Sequence, residues 1–453
     1  MEASKILWYS LIVKRKGDSR LSQATEGHAI LGLIERGLFV RVASPQPLPG
    51  TPETVITAEA GVNLPPWMEF RVERLVEVGS RVAQGTPILR DRRRPECLIT
   101  APISGRLSEL ETGAGRRLTS LIVQGEGTGE RHQYDAKLAR GELEGGNGST
   151  ALRQLLQSSG LWMRLRARPF GKVPEASTAP AAIVVMAVDT RPLAPDPRHA
   201  IGEENIARLN LGLRALVSLC DGPLFFCQDR GPDIPEAHDR LKIVRTGELH
   251  PQGLAGLQIH RLFPARLARQ VWDITMEDVV AIGQLLSEGR LPETQVVSVA
   301  GPGLREARLV CCPPGADLRE LCYAFMSPGP RIILSGSLLD GRESRWLGFH
   351  DRQVTVLERR EPTPRHWLES ALRRASRPEP VIATAAVEQA LGGAMPGMAL
   401  LRALSVADDE AAIDLDVLSL VEEDLALVDY VTAASPRFSD LLRAALNRIE
   451  ANA

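Results

Sequence analysis

At 453 residues the chain is too long for one hydrophobic core, which implies roughly two to four domains. Its 44% hydrophobic and 24% charged content is that of an ordinary globular protein. Basic and acidic residues nearly cancel, 54 against 56, so neither nucleic acid nor an anionic lipid surface is favoured as a partner.

The N-terminus places an apolar stretch before Lys14, Arg15 and Lys16, the reverse of the charge order in a secretory signal, so a cytoplasmic location is expected. Its longest apolar runs, 6–13 and 181–188, fall far short of the about 20 residues a bilayer crossing needs. Residues 1–35 read as an N-terminal extension. Residues 36–149 read as an extended Pro- and Gly-rich wrap, a β domain and a linker. Within that β domain, Gly79, Gly85 and Gly105 punctuate β-rich runs where tight turns need positive φ. The two halves resemble the flattened barrel sandwich of lipoyl carrier domains. No lysine stands between Lys16 and Lys137, so the hairpin at 91–96 offers no amine to acylate, and Arg92–Arg94 read as a solvated tip.

Leu152, Leu155 and Leu156 recur at helical spacing and are closed by Gly160. Residues 150–303 read as a Rossmann-like α/β domain, with strands at 181–188, 224–227, 241–244 and 296–300 and helices between them. Residues 304–360 read as a β-grasp-like module, with β runs at 308–312, 331–334 and 353–357 and a helix at 317–325. Residues 361–453 read as a helical domain, with amphipathic helices at 419–431 and 436–450 and a Ser435-Pro436 N-cap. Cys97, Cys220, Cys227, Cys311, Cys312 and Cys322 show no CxxC pair and read as reduced, packed thiols.

Four segments carry a joint signature: Arg-Pro-Phe-Gly-Lys-Val-Pro at 168–174, Ala-Val-Asp-Thr-Arg-Pro-Leu-Ala-Pro-Asp-Pro at 187–197, His-Pro-Gln-Gly-Leu-Ala-Gly-Leu-Gln-Ile-His at 250–260, and Val-Trp-Asp-Ile-Thr at 271–275 running into 278–283. Later blocks at 298–302, 335–337 and 422–427 agree with them. In order, spacing and identity this pattern resembles the NqrA subunits of the Na+-translocating NADH:quinone reductases over roughly residues 36–450.

The resemblance implies a peripheral, cofactor-free subunit on the inner face of the cell membrane, attached through partner subunits. The complex it implies couples NADH oxidation and ubiquinone reduction to Na+ export, with NADH, FAD, FMN and iron–sulfur centres on those partners and ubiquinone as a ligand. The residues bear on the cofactor question independently. Where flavin-bearing relatives have a glycine-dense loop, this chain has 160–170 with bulky Trp162, Met163 and Leu165, which would fill the space of a flavin. The cysteine pair that many relatives keep after the Asp-Leu-Ala-Leu motif is replaced by Val428 and Thr432.

His250 and His260 bracket a glycine-spaced segment at the edge where α/β sheets bind ligands. With Gly253, Gly256 and Trp272 they are the candidate quinone- or partner-contacting residues, against the plainer readings of loop-capping histidines and a core tryptophan. Asp189 and Asp196, among prolines, read as turn formers. No Ser/His/Asp, Cys/His, paired-carboxylate or metal-ligand spacing demands catalysis by this chain. The alternative function is a stand-alone quinone or small-ligand binding module diverged from the same subunit.

Overall fold

A computed structural model describes residues 37–47, 50–65, 68, 70–146, 149–359 and 384–453. The expected extension at 1–35 lies outside them, as does the start of the expected helical domain at 361–383.

After a short β1 (Glu53–Thr54), seven strands build the first unit: β2 (Glu59–Gly61), β3 (Val72–Arg74), β4 (Arg81–Val82), β5 (Pro87–Asp91), β6 (Leu98–Thr100), β7 (Gly105–Thr112) and β8 (Leu118–Gly125). They form two sheets, β2-β8-β7-β4 and β3-β5-β6. The inward residues, among them Val82, Ile88, Leu89, Leu107, Leu121 and Val123, are buried in one core. Gly79 and Gly85 have φ of 91° and 86°, as the turn reading requires. Gly105 serves differently: a Cβ there would sit 1.9 Å from the Gln124 carbonyl oxygen, so it permits β7 and β8 to approach. The hairpin tip also differs from expectation. Arg92 is exposed, but Arg94 pairs with buried Asp91 at 3.1 Å and donates to the Val173 carbonyl at 3.1 Å, which ties the barrel to the next unit.

The expected linker at 125–149 contains a helix, Lys137–Gly145, ended by Gly146 in the left-handed region. Its apolar face is thin, with Ala139 buried and Leu138 exposed, which hides it from a periodicity reading. The helix Thr150–Ser158 follows and buries Leu152, Leu155 and Leu156.

The α/β unit contains β9 (Arg166–Arg168), β10 (Ala182–Ala187), β11 (Leu224–Gln228), β12 (Leu241–Arg245) and β13 (Val271–Thr275), in the order β12-β11-β10-β13-β9. The first four are parallel and β9 runs antiparallel on the edge. All six residues of β10 are buried. Ile183 and Val185 share a core with the helices Ile206–Leu219 and Met276–Glu288, whereas Ala182 and Val184 pack with Ala255 and Ile259 of the helix Ala255–Leu262. A strand covered on both faces accounts for its continuous apolar run.

The expected fourth strand of this unit lies elsewhere. β14 (Gln295–Ala300) joins β15 (Arg308–Cys312), β16 (Arg331–Ser335), β17 (Arg342–Glu343) and β18 (Gln353–Glu358) in a six-stranded sheet ordered β1-β15-β14-β18-β16-β17. Its central β14–β18 pair is parallel and the flanking β15 and β16 are antiparallel to it. An apolar run near a sheet does not say which sheet it joins, and β14 pairs with the strands that follow it. The helix expected at 317–325 is a short helix Leu318–Cys322 continued by a 3-10 turn.

The C-terminal part contains the helices Ala385–Ala390, Gly397–Ser405, Asp409–Asp414, Ala426–Thr432 and Phe438–Asn452. Leu400, Leu401, Leu425, Leu427, Leu442 and Leu446 form its core, which Leu38 from the wrap also enters. The single helix expected at 419–431 is broken into a 3-10 turn, Glu422–Leu425, and the short helix Ala426–Thr432, because acidic side chains of the turn engage other parts of the molecule. Asp429, not Ser435, caps the last helix: its carboxylate accepts from the Phe438 N–H at 2.5 Å and the Ser439 N–H at 3.3 Å.

Candidate ligand cleft at the sheet switch point

In the α/β sheet β11 and β12 lie to one side of β10, and β13 lies to the other. Connections that diverge from neighbouring strands leave a crevice beyond their C-terminal ends. A cavity of about 1390 Å³ opens there. Asp189 and Arg191 line it after β10, and Thr275 and Glu277 at and just beyond the end of β13; His350, Asp351 and Arg352 come from the segment leading into β18 and Glu423 from the C-terminal part.

Its walls are charged and tightly paired. Arg191 lies 3.5 Å from Asp189, 3.3 Å from Asp340 and 3.2 Å from Glu423, so one guanidinium joins three structural units. Arg166 reaches Asp273 at 2.6 Å and Glu423 at 2.9 Å, and wholly buried Arg168 lies 2.9 Å from Asp273. Arg352 pairs with Asp278 at 2.7 Å, and Arg164 approaches the same carboxylate at 3.7 Å.

Burial raises the carboxyl pKa values of Asp189, Glu277 and Asp351, with nearby acids adding to the shift. Burial also works against the Glu423 charge, but Arg166, Arg191 and Arg168 outweigh it and hold that carboxylate ionised. Its neighbour Asp424 moves the other way, raised by burial and by the Glu423 charge. The divergence follows from which of the two faces the guanidiniums.

The candidate residues from the sequence lie as follows. His250 is 3% exposed; its Nδ1 is 3.1 Å from Thr190 Oγ1 and its carbonyl accepts from the Leu38 N–H at 2.8 Å. Burial, followed by the Arg191 charge, lowers its imidazole pKa to about 4. Gly253 lines the cleft, and a Cβ there would meet the Thr190 nitrogen at 2.6 Å. Gly256 and His260 belong to a helix and not to the loop that the glycine spacing suggests. A Cβ on Gly256 would fall 2.1 Å from Asp424 Oδ2, so this glycine admits a carboxylate against the helix and does not make a turn.

His260 Nε2 donates to the Ala394 carbonyl at 3.0 Å. Its Nδ1 is 3.2 Å from Asp416 Oδ2, a contact off hydrogen-bond geometry. Trp272 is fully buried, edge-on to Trp162 at 5.4 Å. Of these five, Gly253 lines the cleft and the other four do not.

Asp189 accepts from the Arg191 N–H and Asp196 from the Arg198 N–H, both at 2.9 Å, which is the expected turn and cap chemistry. Arg166, Arg191, Glu277, His350, Arg352 and Glu423 were not singled out by the sequence. Arg191 and Glu423 stand inside the signature blocks, and a charged residue just beyond a fully apolar strand is the signal that marks Asp189 and Arg191. His350 and Arg352 carry no such signal.

Residues 33–126 match a family model described as the NqrA N-terminal barrel-sandwich hybrid domain, and residues 148–291 match one described as the NqrA second alpha/beta domain. The A-type subunit of the Na(+)-translocating NADH-quinone reductase from Marinomonas sp. (strain MWYL1) is 33% identical, over 89% of this chain and 97% of that protein. Its counterpart from Pseudomonas aeruginosa is 33% identical over 92% and 99%, and that from Pasteurella multocida 32% over 89% and 97%. This chain belongs to the NqrA family.

NqrA membership identifies the lipoyl-like first unit as the family's barrel-sandwich hybrid domain. It also covers the strands β10 and β13 that flank the cleft. Strands β14 to β18 of the six-stranded sheet and the helical end, which supply the opposite walls, lie beyond the two matched domains.

Proposed function

We propose that this NqrA chain is the peripheral NqrA subunit of a Na+-translocating NADH:quinone reductase, a complex that couples NADH oxidation and ubiquinone reduction to Na+ export. The observation that carries this reading is identity of about a third across 97–99% of the length of relatives bearing that name. Coverage that complete favours the full subunit over a stand-alone binding module.

In this reading the chain holds no flavin or iron–sulfur centre, has no catalytic residues of its own, and leaves NADH, FAD, FMN and iron–sulfur chemistry to partner subunits. Two features support it. Trp162, Met163 and Leu165 are each at most 1% exposed and fill the core where a glycine-dense phosphate loop would need open backbone. The six cysteines show no CxxC pair, and among the described residues no three His, Cys, Asp or Glu side chains group as metal ligands.

No helix among the described residues is long and apolar enough to cross a membrane, so attachment to the inner face of the cell membrane runs through protein contacts. The strand orders support a Rossmann-like reading of the α/β sheet. They also support a β-grasp-like reading of the six-stranded one, whose central parallel pair has antiparallel flanks.

An affinity-tagged chain recovered from detergent-solubilised host membranes should bring down NADH-oxidising and membrane-embedded partners in stoichiometric amounts. Recovery of the chain alone would overturn the reading.

Quinone or partner contact near His250–Pro264 belongs to the same reading. His260→Ala removes contacts to Ala394 and Asp416, worth about 1 kcal/mol, so the melting temperature should fall by a few degrees. Quinone-dependent activity of the assembled complex, measured well below that temperature, should fall several-fold if the segment contacts quinone. Full activity there assigns His260 to packing alone.

A further inference from the structure

The charges of the cleft are unevenly arranged. Arg164 and Arg352 share one carboxylate, Asp278, at 3.7 and 2.7 Å. Arg352 is 9% exposed, and its Nε has no hydrogen-bond partner among the described residues. His350 sits beside these two and Arg166. Burial, then the three guanidiniums in the order Arg166, Arg164, Arg352, hold its imidazole neutral. Arg164 and Arg352 thus have one ion-pair carboxylate between them, a costly burial of charge that an entering anion would relieve.

Another part of the wall has the opposite character. Glu277 makes no ion pair among the described residues and is held to its own backbone N–H, with Asp189 nearby.

We propose that the corner formed by Arg164 and Arg352 around His350 is a binding site for a small oxyanion, a carboxylate or a phosphate. Planar guanidiniums bind both groups through paired N–H donors, and low solvent exposure of Arg164 and Arg352 strengthens each contact. Arg352 Nε is a donor left over for that purpose; Arg164 donates to the Phe349 carbonyl and lies over the Phe349 ring, 3.8 Å from its centroid, but Asp278 is 3.7 Å from it. Glu277 lies close enough to Arg352 for their charges to interact, so it selects against excess negative charge and favours a ligand whose remaining groups donate hydrogen bonds.

The test is thermal unfolding of the full chain in inorganic phosphate and, separately, in succinate, each against sodium chloride of equal ionic strength. At concentrations well above Kd, the matching anion should raise the melting temperature by roughly 2 °C or more. A response to phosphate alone assigns a phosphate site, and a response to succinate alone assigns a carboxylate site. Titration calorimetry should then show several-fold tighter binding in Glu277→Gln and at least tenfold weaker binding in Arg164→Gln. Glu277→Gln removes no inter-residue pair and should fold, so it keeps the proposal testable if Arg164→Gln does not. Absence of any response beyond chloride, or unchanged affinity in Glu277→Gln, overturns it.

Discussion

His250 is a buried imidazole whose protonation the fold opposes, first by burial and then by Arg191. Its pKa falls from the ordinary 6.5 to about 4, so the unfolded chain binds a proton that the folded chain refuses between those values. Stability from this group is complete above pH 6.5 and is lost as pH falls toward 4, by about 3 kcal/mol at the acid end. The raised carboxyls Asp189, Glu277 and Asp351 act in the opposite sense, since they bind protons more readily when folded and lose stability as pH rises. Comparison with a variant therefore isolates the histidine. His250→Gln keeps a polar group beside Thr190 but cannot be protonated. Urea unfolding at pH 7 and pH 5 should show an acid loss smaller by about 2 kcal/mol than in the parent chain. Equal losses in both proteins would mean that the imidazole titrates normally.

At the scale of elements, Gly256 and Asp424 show how the C-terminal part docks on the α/β unit. Asp424 accepts from the Val421 N–H at 2.8 Å, and its carboxylate lies where a Gly256 Cβ would project from the helix Ala255–Leu262. Helix propensity alone makes Gly→Ala stabilising by about 1 kcal/mol, whereas the steric conflict should cost about 1–3 kcal/mol. A lower melting temperature for Gly256→Ala therefore identifies the docking contact. Adding Asp424→Ala should remove the conflict, leaving the double variant no less stable than Asp424→Ala alone.

Such contacts also define what was legible in the sequence. Strand β10 and the helix Thr150–Ser158 were legible because burial on a face writes a local period. Positive φ wrote Gly79 and Gly85 into the barrel's turns. β14's sheet and the break before Ala426 were not, since each depends on neighbours distant in the chain, and the helix Lys137–Gly145 was not because its apolar face is thin. The cleft was hidden for the same reason. Arg191 reaches Asp340 and Glu423 across more than a hundred positions, and no local pattern announces that meeting.

For the whole molecule, three units converge on one buried charge network while the chain's formal net charge is only −2. Trp162 and Trp272, both fully buried, pack edge-on in the core with ring centroids 5.4 Å apart. The purified chain should accordingly be colourless; near-stoichiometric flavin absorption, or iron with acid-labile sulfide, would contradict the cofactor-free reading. The proposed attachment through partner subunits is testable at the same scale. Among the described residues no helix is long and apolar enough to cross a membrane, and the chain's formal net charge is −2. Contacts at a docked surface are in large part polar and weaken as salt shortens the Debye length to about 3 Å at 1 M. The chain should sediment with host membranes at low ionic strength and be released near 1 M salt or when its partners are deleted. It should also float free of protein-free anionic vesicles under both conditions. Retention on those vesicles would place the attachment in the lipid and not in partner subunits.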